Sequence, residues 1–239
     1  MLLLQVTDLS KSYGAIKVTD RVSLSLATGE ALGIIGPNGA GKSTLFNLIA
    51  GSVRPNAGSI SLLGSDITGL SAALRCRAGI GRSFQIPRPF GGLTVYENLL
   101  VAAEFGAGER AAEAGRDCMR ILKLVGLDRL AESPAAKLRL LDRKRLELAR
   151  GLATKPKLLL LDEIAGGLTD LECDSLIEAI RGVQASGVGI IWIEHVVHAL
   201  MAVVDRLAVI ASGAKIAEGD PKEVFASRVV QDIYLGVPA

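Results

Sequence analysis

The sequence predicts an α/β fold built on a parallel sheet, and three observations carry that prediction. Ala31 to Ile35 is an apolar run that leads into a glycine-rich loop and then into Leu45, Phe46, Leu48 and Ile49, spaced as the inner face of a helix. Lys157 to Leu161 is continuously aliphatic after its first residue, as a strand buried on both faces must be. A helical stretch from about Leu171 to Gln184 then precedes another apolar strand, Gly189 to Ile193.

The remaining elements follow in order. Leu2 to Val6 and Val22 to Leu26 read as short strands, the second alternating Val22, Leu24 and Leu26. Thr28-Gly29-Glu30 turns the chain into the strand before the loop. Pro55-Asn56-Ala57-Gly58 is a turn, with a strand expected over Ser59 to Leu63. From about Thr94 to Arg150 the composition shifts to Ala, Leu, Glu and Arg, and Cys118, Ile121, Leu122 and Val125 share one helical face. This reads as a helical subdomain inserted in the sheet, edged by Pro87 and Pro89 on one side and Pro134 on the other. Within it, Ala102 to Gly115 reads as a mobile loop. Arg206 to Ile210 and Lys215 to Glu218 are further strands, and Pro221 opens a final helix at its first turn.

Composition narrows the functional classes. Of 239 residues, 49% are hydrophobic and 4% aromatic, so the core should be aliphatic. The 27 basic and 25 acidic side chains balance to +2, too even to argue for nucleic acid or an anionic membrane as a main partner. The longest apolar stretch near Leu200 to Ala211 is broken by Asp205 and Arg206, so no membrane span is expected. Met1 to Val6 is too short for a signal peptide. Cys76, Cys118 and Cys173 are scattered without metal-ligand spacing and read as reduced thiols of a cytoplasmic protein.

The glycine-rich loop is Gly36-Pro37-Asn38-Gly39-Ala40-Gly41-Lys42-Ser43-Thr44. Strand, glycine loop and helix, with Lys and Ser at the helix start, form a nucleotide-phosphate cradle. Backbone N–H groups curl toward phosphate oxygens, and the helix N-terminus adds donors and a positive dipole end. Lys42 is expected on the β- and γ-phosphates and the Ser43 hydroxyl on Mg²⁺. Asp162 and Glu163 end the run Leu158 to Leu161, at the sheet edge that faces this loop. Asp162 is expected to hold Mg²⁺ through water, and Glu163 to act as general base on the attacking water. His195 ends the strand Ile190 to Glu194 and can reach a γ-phosphate or the water; His198, one helical turn on, is the weaker candidate. Gln85 can ligate Mg²⁺ or hold water, and Tyr13 has a ring able to stack on a base.

Taken together, GPNGAGKST at 36–44, Phe84-Gln85, LLLLDE at 158–163 and Ile193-Glu194-His195 resemble the ATP-binding subunit of an ABC transporter over essentially the whole chain. The resemblance implies an ATP-binding core of the P-loop NTPase type spanning 1–239, with an antiparallel β subdomain and the inserted helical subdomain at about 94–150. It implies a head-to-tail dimer with a second ATP-binding subunit, identical or related, and integral membrane permease subunits. It also implies an extracytoplasmic solute-binding protein as indirect partner, and peripheral location on the cytoplasmic face of the membrane. By position, Tyr13 resembles the base-stacking aromatic, Gln85 the glutamine loop and His195 the switch histidine. ATP and Mg²⁺ are the implied cofactors, and no nucleic acid is implied.

Gly79 to Phe90, Leu93-Thr94-Val95-Tyr96-Glu97-Asn98-Leu99, Ile193 to Val196 and Ala217 to Pro221 are similar to branched-chain amino acid importers, with related ATPases serving urea and short-amide uptake. Ile86 to Tyr96 would then receive a short permease helix, with Phe90 and Leu93 as exposed apolar contacts. A lipopolysaccharide-export ATPase, or a regulatory or soluble ABC ATPase of low turnover, is the alternative. One segment departs from the pattern. Where the family signature Leu-Ser-Gly-Gly-Gln or Leu-Ser-Tyr-Gly-Gln belongs, the chain reads Leu138-Arg139-Leu140-Leu141-Asp142. Arg139 replaces the serine, Leu141 a close-approach glycine and Asp142 the glutamine. Leu141 should hinder approach to phosphate, and Asp142 should repel it unless paired. Asp-Glu-Ile at 162–164 replaces Asp-Glu-Pro and leaves both carboxylates.

Overall fold

The computed structural model of the chain describes residues 1–108 and 111–235. Its elements run β1 (Leu2–Tyr13), β2 (Ile16–Ala27), β3 (Ala31–Ile35), α1 (Lys42–Ala50), β4 (Ala57–Leu62), β5 (Ser65–Asp66), α2 (Ala72–Ala78) and β6 (Ile80–Arg82). Helices α3 (Val95–Ala102), α4 (Ala111–Leu124) and α5 (Leu140–Ala153) follow. The α/β alternation then resumes through β7 (Leu158–Asp162), α6 (Asp170–Ala185), β8 (Gly189–Ile193), α7 (Val197–Val203), β9 (Arg206–Ala211) and β10 (Ala214–Gly219). Helices α8 (Pro221–Ala226) and α9 (Arg228–Leu235) close it.

Two sheets result. One is antiparallel in the order β2-β1-β4-β5; the other runs β10-β9-β3-β8-β7-β6 and is parallel except for its edge strand β10. Alternation along the central strands divides the core into two layers. Leu158 and Leu160 of β7, with Ile191 and Ile193 of β8, pack toward α1 and the antiparallel sheet. Leu159 and Leu161, with Ile190 and Trp192, pack toward the helices, among them Leu99, Leu122 and Leu146. Both faces of the central strands are therefore covered, which is why these runs carry no polar residue before Asp162.

Local chemistry sets the helix starts. Thr94 and Thr169 each form a capping box, with Glu97 and Glu172 respectively. Asp220 caps the Pro221 helix by accepting from Lys222 and Glu223 N–H groups. Cys118 and Leu122 are buried along one side of α4, Val125 just past its end is buried with them, and Ile121 is only partly buried.

The structure corrects several local expectations. Strands β1 and β2 extend well beyond Val6 and before Val22, because irregular pairing lets the hairpin continue to Tyr13↔Ile16. Strand β4 starts at Ala57, inside the expected turn, and α5 continues to Ala153. The expected mobile loop at 102–115 is mostly helical: α3 ends at Ala102, a π-helical turn covers Ala103–Ala107, and α4 begins at Ala111. Residues 109 and 110 of that stretch lie outside the described residues. Alanine favours helix, and Gly106 serves close packing, since a Cβ there would lie 2.5 Å from Thr154 Cγ2. Cys118 and Cys173 are buried and Cys76 half-buried. Among the described residues, no helix is long and apolar enough to cross a membrane.

Candidate functional site

Four neighbouring strands of the parallel sheet deliver the site, because their C-terminal ends share one edge. Strand β3 ends in the 36–44 loop, β7 in Asp162 and Glu163, β8 in Glu194 and His195, and β6 runs into Ser83, Phe84 and Gln85. Asp162 pairs with Ile193 at the end of the β7–β8 ladder, and the Glu163 N–H donates to Ile193 O at 2.8 Å.

The loop is pressed between its neighbours, and that contact explains two glycines. A Cβ on Gly36 would lie 1.9 Å from Ile210 O, and one on Gly41 would lie 2.3 Å from Val18 O. Gly41, at φ 99°, opens helix α1 without a side-chain cap, leaving first-turn donors for a ligand. Lys42 is buried, and its Nζ donates to Gly36 O at 2.7 Å and Pro37 O at 3.0 Å. Burial lowers the Lys42 pKa below the usual lysine value, opposed by the charges of Glu163 and Asp162. A cavity of about 190 Å³ is lined by the loop from Asn38 to Thr44, by Val18 and by Glu163. Ser43 is exposed and lines it too.

Glu163 is the hub. Its backbone is left-handed at φ 46°, an uncommon conformation for a residue with a side chain. Gln85 Nε2 donates to Glu163 Oε2 at 2.5 Å, and His195 Nε2 lies 3.1 Å from Glu163 Oε1. The structure therefore joins three residues that the sequence separates by 78 and 32 positions. Asp162 is buried beside them. Arg82 Nη2 donates to its Oδ2 at 3.1 Å, while Arg82 Nη1 donates to Asn47 Oδ1 at 2.7 Å. Burial nevertheless raises the Asp162 pKa above the usual carboxylate value, with Arg82 pulling the other way.

Other expected residues fall differently. Tyr13 stands at the tip of the β1–β2 hairpin, 48% exposed, with Lys11 Nζ 5.3 Å from its ring. It is not among the residues lining the loop cavity; Val18, further along β2, is. His198 lines a separate groove with Asp174, Glu178 and Arg181. Of the expected contact segment, Ile86 and Phe90 are exposed but Leu93 is only half-exposed; Phe84, outside that segment, is exposed as well.

The 138–142 segment starts helix α5. Arg139 is its N-cap, extended at φ −70° and ψ 167°, with no side-chain cap hydrogen bond. Leu138 is buried, and Leu141 packs against the helical core rather than toward the exposed helix start. Leu140, 46% exposed, is the apolar residue at that surface. Asp142 is paired, 3.7 Å from Arg145, so the anticipated repulsion is partly offset.

Three participants have no motif that single-sequence reading recognises as a role: Arg82, Glu194 and Lys144. Arg82 stands three residues before Gln85, and Glu194 immediately before His195. Lys144 is buried in α5 with Nζ 3.4 Å from Glu163 O.

The donors present fit a nucleotide with Mg²⁺. The loop offers an uncapped helix start and one lysine; Ser43, Asp162 and Gln85 offer oxygens, the ligand type that Mg²⁺ prefers. No cluster of three or more His, Cys, Asp or Glu among the described residues competes as a metal cage.

Comparison with known proteins agrees with this geometry. Residues 19–166 match the family described as ABC transporter. The chain is 35% identical to the probable branched-chain amino acid transport ATP-binding protein LivG of Archaeoglobus fulgidus, covering 99% of this chain and 96% of the relative. It is 33% identical to the lipopolysaccharide export system ATP-binding protein LptB of Escherichia coli, covering 99% and 98%. In structure it is similar to an ATP-binding cassette of an ABC transporter in its ADP conformation, at a TM-score of 0.90 and 32% identity over 99% of both chains. A phosphate loop, a paired Asp-Glu and a histidine converging on one sheet edge, in a chain similar over its length to these proteins, mean that it belongs to the ABC transporter family as an ATP-binding, ATP-hydrolysing subunit.

Proposed function

We propose that the chain powers import of a small polar solute, branched-chain amino acids foremost, through permease subunits at the cytoplasmic face of the membrane. One observation carries the hydrolytic assignment: the Glu163 carboxylate lines the phosphate-loop cavity and is held on one oxygen by Gln85 and on the other by His195. A base so placed can accept the proton of an attacking water while its neighbours fix its direction. The loop amides bind phosphate oxygens, and Lys42 exchanges the carbonyls of Gly36 and Pro37 for the terminal phosphates. Ser43, Asp162 and Gln85 would hold Mg²⁺, which would supply charge neutralisation on those phosphates. Tyr13 stacks on the base, and His195 also bonds the γ-phosphate.

The cargo rests on the Gly79 to Leu99 and Ile193 to Val196 sequences and on similarity to LivG. Similarity of the same order to LptB supports lipopolysaccharide export as the second reading. In either case the permease contact is the Ile86 to Tyr96 segment, which Arg150 joins through Arg88 O to a cleft of about 230 Å³ bounded by Cys76, Arg82, Phe84 and Glu147. Its rim carries Phe90, with the Arg150 guanidinium 5.0 Å from the ring, and Phe84, with Arg82 at 5.3 Å. The test is reconstitution with permease subunits of a branched-chain amino acid importer. ATP-dependent leucine uptake, and cross-linking of a cysteine at position 90 to the permease, are expected. Lipopolysaccharide extraction without uptake would reassign the cargo, and failure of position 90 to react while control sites do would remove this docking surface.

A further inference from the structure

Glu194 is 1% exposed, a charged side chain enclosed in the core beside the site. A buried carboxylate is unfavourable unless its oxygens are satisfied, and here each one is. Oε2 accepts from the Ala165 N–H at 2.8 Å. Oε1 accepts from the His195 N–H at 2.9 Å and more weakly from the Val196 N–H at 3.4 Å. The three amides belong to two different segments. One begins two residues after Glu163, and the other carries His195. The strand ladder between these segments stops at the Asp162–Ile193 pair, so the Glu194 carboxylate takes over where main-chain pairing ends. Lys144 completes the arrangement from helix α5. Its ammonium feels the charges of both Glu194 and Glu163, and its Nζ stands 3.4 Å from the Glu163 carbonyl oxygen.

We infer that Glu194 is a positioning residue for ATP hydrolysis, whose two oxygens tie the Ala165 segment to the His195 segment and thereby hold Glu163 and His195 in register. The inference rests on Glu163 being the base. Both oxygens are needed: a glutamine of the same shape keeps one acceptor and turns an NH₂ group against the other amide, releasing one segment. Small displacements of a catalytic group have large kinetic effects, so Glu194→Gln should lower kcat about tenfold or more while KM for ATP stays within about twofold. The phosphate loop, which sets affinity, is untouched.

The experiment is steady-state ATPase kinetics on the purified full chain, alongside ATP affinity and thermal unfolding. In a His195→Ala background one of the two residues held in register is gone and only Glu163 remains to be positioned, so adding Glu194→Gln should lower kcat by a smaller factor than it does in the parent. Parent kcat in a folded Glu194→Gln protein overturns the inference. So does an equal, multiplying loss in the His195→Ala background, which marks general structural damage. If Glu194→Gln does not fold, Glu194→Asp carries the same reading: its carboxylate is one methylene shorter, and loss of kcat at constant KM supports positioning while parent kcat overturns it. Glu163→Gln is the separating control. An inactive Glu163→Gln beside a fully active Glu194→Gln removes this inference alone, and an active Glu163→Gln removes the base assignment beneath it.

Discussion

His195 Nε2 lies 3.1 Å from Glu163 Oε1, a contact between the two segments that leave the paired ends of β7 and β8. Strands β7 and β8 are parallel and in register through Asp162↔Ile193, so the next residues of both must leave the sheet side by side. With Glu163 as base, Glu163→Gln keeps shape and ATP binding but removes the proton acceptor. Hydrolysis should slow by about 10²-fold or more, and an ATP-bound dimer should accumulate on gel filtration. Parent-rate hydrolysis by the folded variant would move the base elsewhere, first to His195.

Lys42 has a different role and a different signature. Its ammonium is buried against the loop's own carbonyls, a position that burial makes unfavourable for the charge. Terminal phosphates offer a better partner. Lys42→Ala should therefore weaken ATP affinity by about tenfold or more, equivalent to about 1.5–3 kcal/mol for a charge-assisted contact. Titration of a fluorescent ATP analogue measures it, and unchanged affinity would remove the phosphate-loop assignment.

Much of this was legible because the phosphate loop, the aliphatic strands and the Asp-Glu pair are local patterns. Each can be read from consecutive residues and the strand period. What was missed is set by contacts between distant segments. Arg82 is an ordinary surface arginine in sequence, yet it bridges Asn47 and Asp162. The Ala102 to Gly115 stretch reads as loose because glycine and alanine are ambiguous alone; the close approach of Gly106 to Thr154 joins segments distant in sequence. At 138–142 the sequence shows Leu141 where a close-approach glycine belongs, but only the helix phase shows that Leu141 packs against the core while Leu140 is exposed.

Arg75 gives a prediction about stability rather than catalysis. It is 1% exposed, and its guanidinium donates to the carbonyls of Leu48 and Ile49 at the end of α1, and to those of Leu70 and Thr68. Leu48 O also accepts from the Gly51 N–H at 3.3 Å, so the guanidinium supplements the C-cap of α1 while joining it to the Thr68–Leu70 segment. Arg75→Met should destabilise the fold by about 2–4 kcal/mol through several unsatisfied buried acceptors. Arg75→Lys should recover only part, because one ammonium cannot reproduce the planar fork. Urea unfolding measures both, and a neutral Arg75→Met would show that water replaces the guanidinium without loss.

The altered start of α5 gives the last prediction. In the proposed head-to-tail dimer, each phosphate loop faces the partner's 138–142 region, so this chain paired with a paralogue of intact signature makes two unequal sites. The site built from this chain's loop and Glu163 should hydrolyse ATP. The site completed by Leu138 to Asp142 should bind it but turn over poorly, and a homodimer should be a weak ATPase. The backbone at Arg139 already has N-cap geometry, φ −70° and ψ 167°, but no side chain caps the helix. Arg139→Ser should therefore have two separable effects. A serine hydroxyl caps the first turn, raising stability by about 0.5–2 kcal/mol, and it restores a donor toward the facing γ-phosphate, raising homodimer ATPase. Greater stability with unchanged turnover would mean that the backbone amides at the α5 start already suffice. In the heterodimer, Glu163→Gln and the matching change in the partner should depress hydrolysis unequally, with Glu163→Gln the more damaging. Equal losses would mean that the two sites are equivalent despite Arg139, Leu141 and Asp142.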